Sequence, residues 1–133
     1  MPQIPRNDPY TATAKRRQAE ARGRRAEFLA AFLLSFKLYR IVGRRVKTPL
    51  GELDLVALSP SGILCFVEVK ARVNESEAAE AIGGRQQGRI ARAAELYRTA
   101  HPGLRHKGVR FDAILVAPRR LPRHLKDAWR PEM

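Results

Sequence analysis

The nine residues ILCFVEVKA, from Ile63 to Ala71, carry apolar side chains at both odd and even positions around a Glu-Val-Lys centre. A strand with one wet face alternates apolar with polar residues, whereas this run has something to bury on both faces. It reads as a central strand covered on either side, which demands a layered α/β architecture. Glu68 and Lys70 lie inside that strand, where charge is costly unless it is paired or bound to a cation.

The rest of the chain supplies the layers. GELDLVAL before this run and RFDAILVA near the C-terminus have strand composition, and a shorter strand is expected around Arg40–Arg45. Ser59-Pro60-Ser61-Gly62 is a hairpin connection. From Ala26 onward a helix is expected, its apolar stripe made by Ala26, Leu29, Ala30, Leu33 and Leu34. Gly23 weakens helix propagation, so order is expected to begin near it. Helical pattern returns from Ser76, is interrupted at Gly83-Gly84, and continues as a long helix from Arg85 to Ala100, stopped by Pro102-Gly103. LPRHLKDAW suggests a closing helix with Trp129 folded back on the body. The expected order is α-β-β-β-α-β-α around a mixed central sheet. Residues 1–13 are expected to be a flexible tail and residues 14–133 a single domain.

Twenty-six Lys and Arg against thirteen Asp and Glu give a formal charge of +13 over 133 residues. Twenty of the cations are Arg and six are Lys, and the guanidinium fork suits phosphate. Such a surface favours a polyanionic partner, nucleic acid first. The bland alternative is a solvated basic surface. Arg16, Arg17, Arg24 and Arg25 lead the first helix, and Arg85, Arg89 and Arg92 recur at helical spacing on the second, so these seven are the candidate phosphate contacts. No apolar run approaches the ~20 residues that span a bilayer, and the N-terminal residues lack a signal-peptide core. A cytoplasmic protein without a membrane is expected. The single cysteine, Cys65, and three scattered histidines, His101, His106 and His124, give no zinc spacing.

The chemistry concentrates in the hairpin. In the register that pairs Ser59 with Ile63, Asp54 faces Glu68 and Glu52 faces Lys70. Alternation puts Glu52 and Asp54 on one face and Leu53, Leu55 and Ala57 on the other. Opposed carboxylates repel unless a divalent cation lies between them or one is protonated. Lys70 stands ready to neutralise charge developing on a phosphate. This is a kit for phosphodiester hydrolysis. The bland alternative is a set of strand-edge ion pairs, Glu52–Lys70 and Glu68–Arg72. Glu27 borders the buried stripe of the first helix and either pairs with an inward Arg or joins the site. Gln87 opens the long helix after the Glu-Val-Lys strand. Arg110 and Asp112 form a same-face pair that supports the fold. No Ser/His/Asp arrangement and no phosphate-cradling glycine loop is present.

Taken in order, Gly23-Glu27-Ala30, Gly51-Glu-Leu-Asp-Leu-Val56, Phe66-Val-Glu-Val-Lys-Ala-Arg72, Gln87 and Arg110-Phe-Asp112 resemble the YraN family of small bacterial proteins. The resemblance runs from about Gly23 to Trp129. That family in turn resembles the PD-(D/E)xK nucleases, which include archaeal Holliday-junction resolvases, and so implies a restriction-endonuclease-like core. It implies that Asp54, Glu68 and the Val69 carbonyl bind Mg²⁺ or Mn²⁺, that Lys70 is the catalytic lysine, and that Glu27 and Gln87 complete the site. The proline that often precedes the first acidic residue is replaced here by Leu53.

The leading expectation is a metal-dependent endonuclease acting on DNA, with branched or structured DNA a candidate substrate and DNA favoured over RNA. A non-catalytic nucleic-acid-binding module that keeps the nuclease fold is the alternative. A basic adaptor for an acidic protein is a third, and homodimerisation is left open.

Overall fold

The computed structural model describes residues 9–71 and 82–131. Helix α1 spans Pro9–Phe36, followed by strands β1 (Arg40–Thr48), β2 (Gly51–Leu58) and β3 (Ile63–Ala71), helix α2 (Gly84–Ala100), and strands β4 (Gly108–Val116) and β5 (Arg123–Trp129). The strands form one five-stranded sheet in the order β1-β2-β3-β4-β5. β3 and β4 are parallel, joined by the crossover that contains α2, and the other neighbours are antiparallel. Mixed pairing follows from connection length, because tight turns join antiparallel strands and only a helical crossover returns a chain parallel.

The central strand is covered on both faces as its composition requires. Cys65, Val67 and Val69 pack with Ala26, Ala30, Ala31 and Leu34 of α1. Leu64 and Phe66 pack with Ile90, Ala93, Ala94 and Tyr97 of α2. Phe66 stacks on Phe111 at 5.7 Å, and Phe111 lies 4.3 Å from Trp129, an aromatic seam that closes the α2 side. Small alanines on α1 let the helix approach the sheet closely. The result is a three-layer mixed α/β domain, the core class expected.

Three expectations change. The C-terminal LPRHLKDAW segment forms an edge strand, not a helix, so the order is α-β-β-β-α-β-β. β4 would otherwise expose an unpaired edge, and β5 also brings His124 and the Asp127 amide to the buried Asp112 carboxylate. The first helix runs through Gly23 without a break and begins at Pro9, inside the segment read as a tail. Leu29 is 42% exposed and lies outside the buried stripe. The helical reading between Ser76 and Ala81, and the Arg72 ion pair, lie outside the described residues. The hairpin follows the expected register: the Ser59 amide donates to the Ile63 carbonyl at 2.9 Å, and Leu55, Val56, Ala57 and Leu58 pair with Val67, Phe66, Cys65 and Leu64. Gly62 takes φ +90° in its turn, a conformation that favours glycine.

Candidate active site

Asp54 and Glu68 meet where the β2–β3 ladder stops. The regular pairing reaches Leu55–Val67. Beyond it the Asp54 side chain takes over, and its Oδ2 accepts a hydrogen bond from the Val69 amide at 2.9 Å. Leu53 and Leu55 should share a face by alternation. Instead Leu53 packs under α2 and Leu55 under α1. The strand's side-chain alternation therefore slips by one position at Asp54 while the register against β1 is kept, which corrects the expected grouping of Leu53 with Leu55 and Ala57. Its partner bends at the same level: Arg45 of β1 has φ +47°, and the β1–β2 pairs run Arg44–Leu55 and then Val46–Leu53 around it. Such irregularities commonly re-aim a side chain at a functional site.

The two carboxyl groups are near enough for the Asp54 charge to raise the Glu68 pKa, so a proton on one of them is favoured. Glu68 is only 7% exposed, and its pKa is pushed up to about 8, first by burial and then by the neighbouring Asp54 charge. Asp54 is also raised, again chiefly by burial, against the lowering hydrogen bond from Val69. Glu68 Oε1 accepts from Gln86 Nε2 at 2.7 Å and lies 3.3 Å from Lys70 Nζ. Lys70 therefore pairs with Glu68, while Glu52 stands exposed across from Lys47. This replaces the expected Glu52–Lys70 contact, and Glu52 belongs to the outer strand pair.

Glu27 is placed by α1 beside the buried Ala26 and Ala30, and its Oε2 is bound by Arg45 Nε. Of the two alternatives for this residue the ion pair with an Arg is the one formed, and the Glu27 charge also acts to raise the Asp54 pKa. Gln87 does not reach the carboxylates. Its Nε2 donates to the Ile82 carbonyl at 3.0 Å, tying down the start of α2, and Gln86 takes the place at Glu68. Gln86 was legible in principle, since it stands four and seven residues before the buried Ile90 and Ala93 and so continues the inward stripe. Arg45 had no such signal, because its role depends on a backbone bend.

Arg16, Arg17, Arg24, Arg25, Arg85, Arg89 and Arg92 are all exposed, four on α1 and three on α2. Away from the site, Arg110 grips Asp112 through Nε at 2.7 Å and Nη2 at 2.8 Å, and Nη2 also donates to the Tyr39 hydroxyl. His124 Nε2 lies 2.8 Å from the same carboxylate, and Lys37 Nζ lies 2.7 Å from His124 Nδ1. Burial would raise the Asp112 pKa, but hydrogen bonds from His124, Arg110 and the Asp127 amide hold it at about 2. This fully bonded cluster supports the fold, as the same-face pair suggested. The Cys65 thiol, pushed by burial to about 12, is packing.

No helix among the described residues is long and apolar enough to cross a membrane. A UPF0102 protein of Maricaulis maris is 50% identical over 119 residues, covering 90% of this chain and 93% of its own. A UPF0102 protein of Parvibaculum lavamentivorans is 52% identical over 109 residues, covering 82% and 81%. The profile described as "Uncharacterised protein family UPF0102" matches residues 26–116, a span from the first buried residue of α1 to the end of β4. Alignment of this extent over the entire sheet core but its last strand makes the chain a member of the UPF0102 (YraN) family.

Proposed function

We propose that the chain is a divalent-metal-dependent endonuclease of the cytoplasm that hydrolyses phosphodiester bonds in DNA, in the manner of the PD-(D/E)xK enzymes. The observation that carries this reading is the juxtaposition of the half-buried Asp54, tied to the Val69 amide, with the buried Glu68, which lies 3.3 Å from Lys70. A merely structural pair of acids in that position is a net expense. A cation displacing the proton would turn mutual repulsion into shared coordination.

The donor set fits such an ion. Two carboxylates and the adjacent Val69 carbonyl are hard oxygens, the ligands that Mg²⁺ and Mn²⁺ prefer, and few protein ligands suit ions that keep water and phosphate oxygens. No group of three or more Asp, Glu, His or Cys side chains clusters for a metal among the described residues, so water and substrate oxygens would complete the coordination. When bound, the ion supplies Lewis acidity and a more acidic water. The chain's own residues do the rest. The Val69 amide fixes the Asp54 carboxylate, and Gln86 orients Glu68. Lys70, 16% exposed, is close enough to Glu68 to face the same phosphate and offset its developing negative charge. Glu27 holds Arg45, whose charge interacts with that of Asp54, so both are positioning residues. The exposed arginines of α1 and α2 attract the backbone without reading sequence.

The test is a cleavage panel of duplex, single-stranded, flap and four-way DNA, with matched RNA, in Mg²⁺, Mn²⁺ or chelator. Wild type is expected to cut at least one DNA substrate only with metal. Asp54→Asn should abolish cleavage and leave DNA binding intact, since Asn keeps the shape and removes the charge that holds the cation. Highly purified wild type that binds DNA but cuts nothing with either metal would establish a non-catalytic binding module instead.

A further inference from the structure

Helix α1 is apolar on two opposite faces. Ala26, Ala30 and Leu34 are at most 3% exposed and pack on the sheet. At 100° per residue, Phe28, Phe32 and Phe36 lie on the far side of the helix, and they are 62%, 65% and 79% exposed. Leu29 and Leu38 extend the patch at 42% and 79%. A helical segment apolar on two faces has buried only one of them against its own sheet. With about 200 Å² per side chain of this size, the exposed fractions leave roughly 600 Å² of apolar surface on each copy. That is at the top of what a monomer ordinarily shows, and two such faces bury ~1,200 Å², the lower bound of stable specific interfaces.

We propose that this stripe is the two-fold interface of a homodimer in which α1 packs antiparallel against α1 of a second copy, with Phe32 on the axis. The four-residue spacing is self-complementary in this arrangement, because each Phe28 then faces the other copy's Phe36. The ends complement each other as well. At one end of the stripe lies an open groove of about 450 Å³ lined by Ala21, Arg24, Arg25, Phe28 and Leu29. At the other end Phe36 and Leu38 project, Leu38 held out by a backbone φ of +68°. Antiparallel pairing seats the projection of each copy in the groove of the other, the reciprocal fit of an isologous contact. Charge selects the same direction. Every side chain described from Ala12 to Arg25 is outside the core, with Arg16 and Arg17 far along this arm. Parallel pairing would set two basic arms side by side, whereas antiparallel pairing sends them past opposite ends of the dimer.

The test is sedimentation equilibrium of the full chain up to about 100 µM, in enough salt to screen its net charge. Wild type should be a dimer. Phe32→Glu and Phe32→Lys should each weaken dimerisation by roughly 30-fold or more, as for loss of a central aromatic anchor, while circular dichroism shows the fold retained. Because Phe32 meets its own counterpart on the axis, mixing the Glu and Lys variants should restore a heterodimer. Leu121→Glu, at a residue 90% exposed and remote in sequence from α1, should leave the dimer unchanged. A monomeric wild type, a Phe32→Glu dimer as tight as wild type, or a mixture that stays monomeric would each overturn the proposal. Phe32-dependent binding of a monomeric wild type to anionic phospholipid vesicles would assign the stripe to a lipid surface and overturn it too.

Discussion

Glu68 shows how one side chain can carry both a cost and a use. Its pKa rises from 4.5 in an unconstrained chain to about 8 in the fold. The raised value means that its neutral form is the one the fold accommodates. Stability tied to Glu68 is therefore fully present below pH 4.5 and is lost as pH rises through about 8. Glu68→Gln should remove that slope and raise stability at pH 8 by on the order of 1–3 kcal/mol, measured by urea unfolding without divalent ions. An unchanged pH profile in the variant would place the titration elsewhere. Asp112 has the opposite sign. Its pKa falls from 3.8 to about 2, so the stability it contributes is present above 3.8 and is lost as pH falls through about 2. Asp112→Asn should cost ~3–5 kcal/mol in the same unfolding measurement, because it leaves the half-buried Arg110 without its counter-charge. At this scale Asp54, Glu68 and Lys70 were legible, since charges inside an apolar strand need a reason. Gln86 and Arg45 were not singled out, because each gains its role from a partner distant in the chain.

At the scale of elements, the strongest local signals governed the outcome. The Ile63–Ala71 run is a doubly covered strand, and the long helix predicted from Arg85 to Ala100 spans Gly84–Ala100. β5 went otherwise because RHLKDAW has no decisive periodicity, and the open edge of β4 supplied hydrogen bonds that a helix could not use there. Trp129 anchors this strand at 8% exposure against Phe111. Trp129→Ala should cost ~3–5 kcal/mol in chemical denaturation, the usual loss for a buried aromatic. A cost below about 1 kcal/mol would show β5 to be a loosely attached edge. β2 illustrates a subtler override. Alternation read along GELDLVAL put Leu53 and Leu55 together, but the alternation breaks at Asp54, level with the bend at Arg45, and the two leucines enter opposite layers. That slip is also what lets Asp54 meet the Val69 amide.

For the whole molecule, the charge of +13 and the exposed arginines on both helices predict binding to nucleic acid that weakens steeply with salt. Replacing Arg85, Arg89 and Arg92 together by Ala should lower DNA affinity and reduce the slope of log affinity against log salt by about 0.9 for each phosphate no longer neutralised. Binding that stays flat between low and physiological salt would sink the electrostatic reading. The sequence by itself determined the layered α/β class, the central strand, the second helix, the basic surface and the acidic pair, since burial on both faces, helical periodicity and net charge are properties of neighbouring residues. Only the tertiary structure decided the edge strand at the C-terminus, the slip at Asp54, the choice of Gln86 over Gln87, and the second apolar face of α1. Each of these depends on which group from elsewhere in the chain arrives to satisfy a hydrogen bond, a charge or a surface, and that energy exceeds the local preference it overrides.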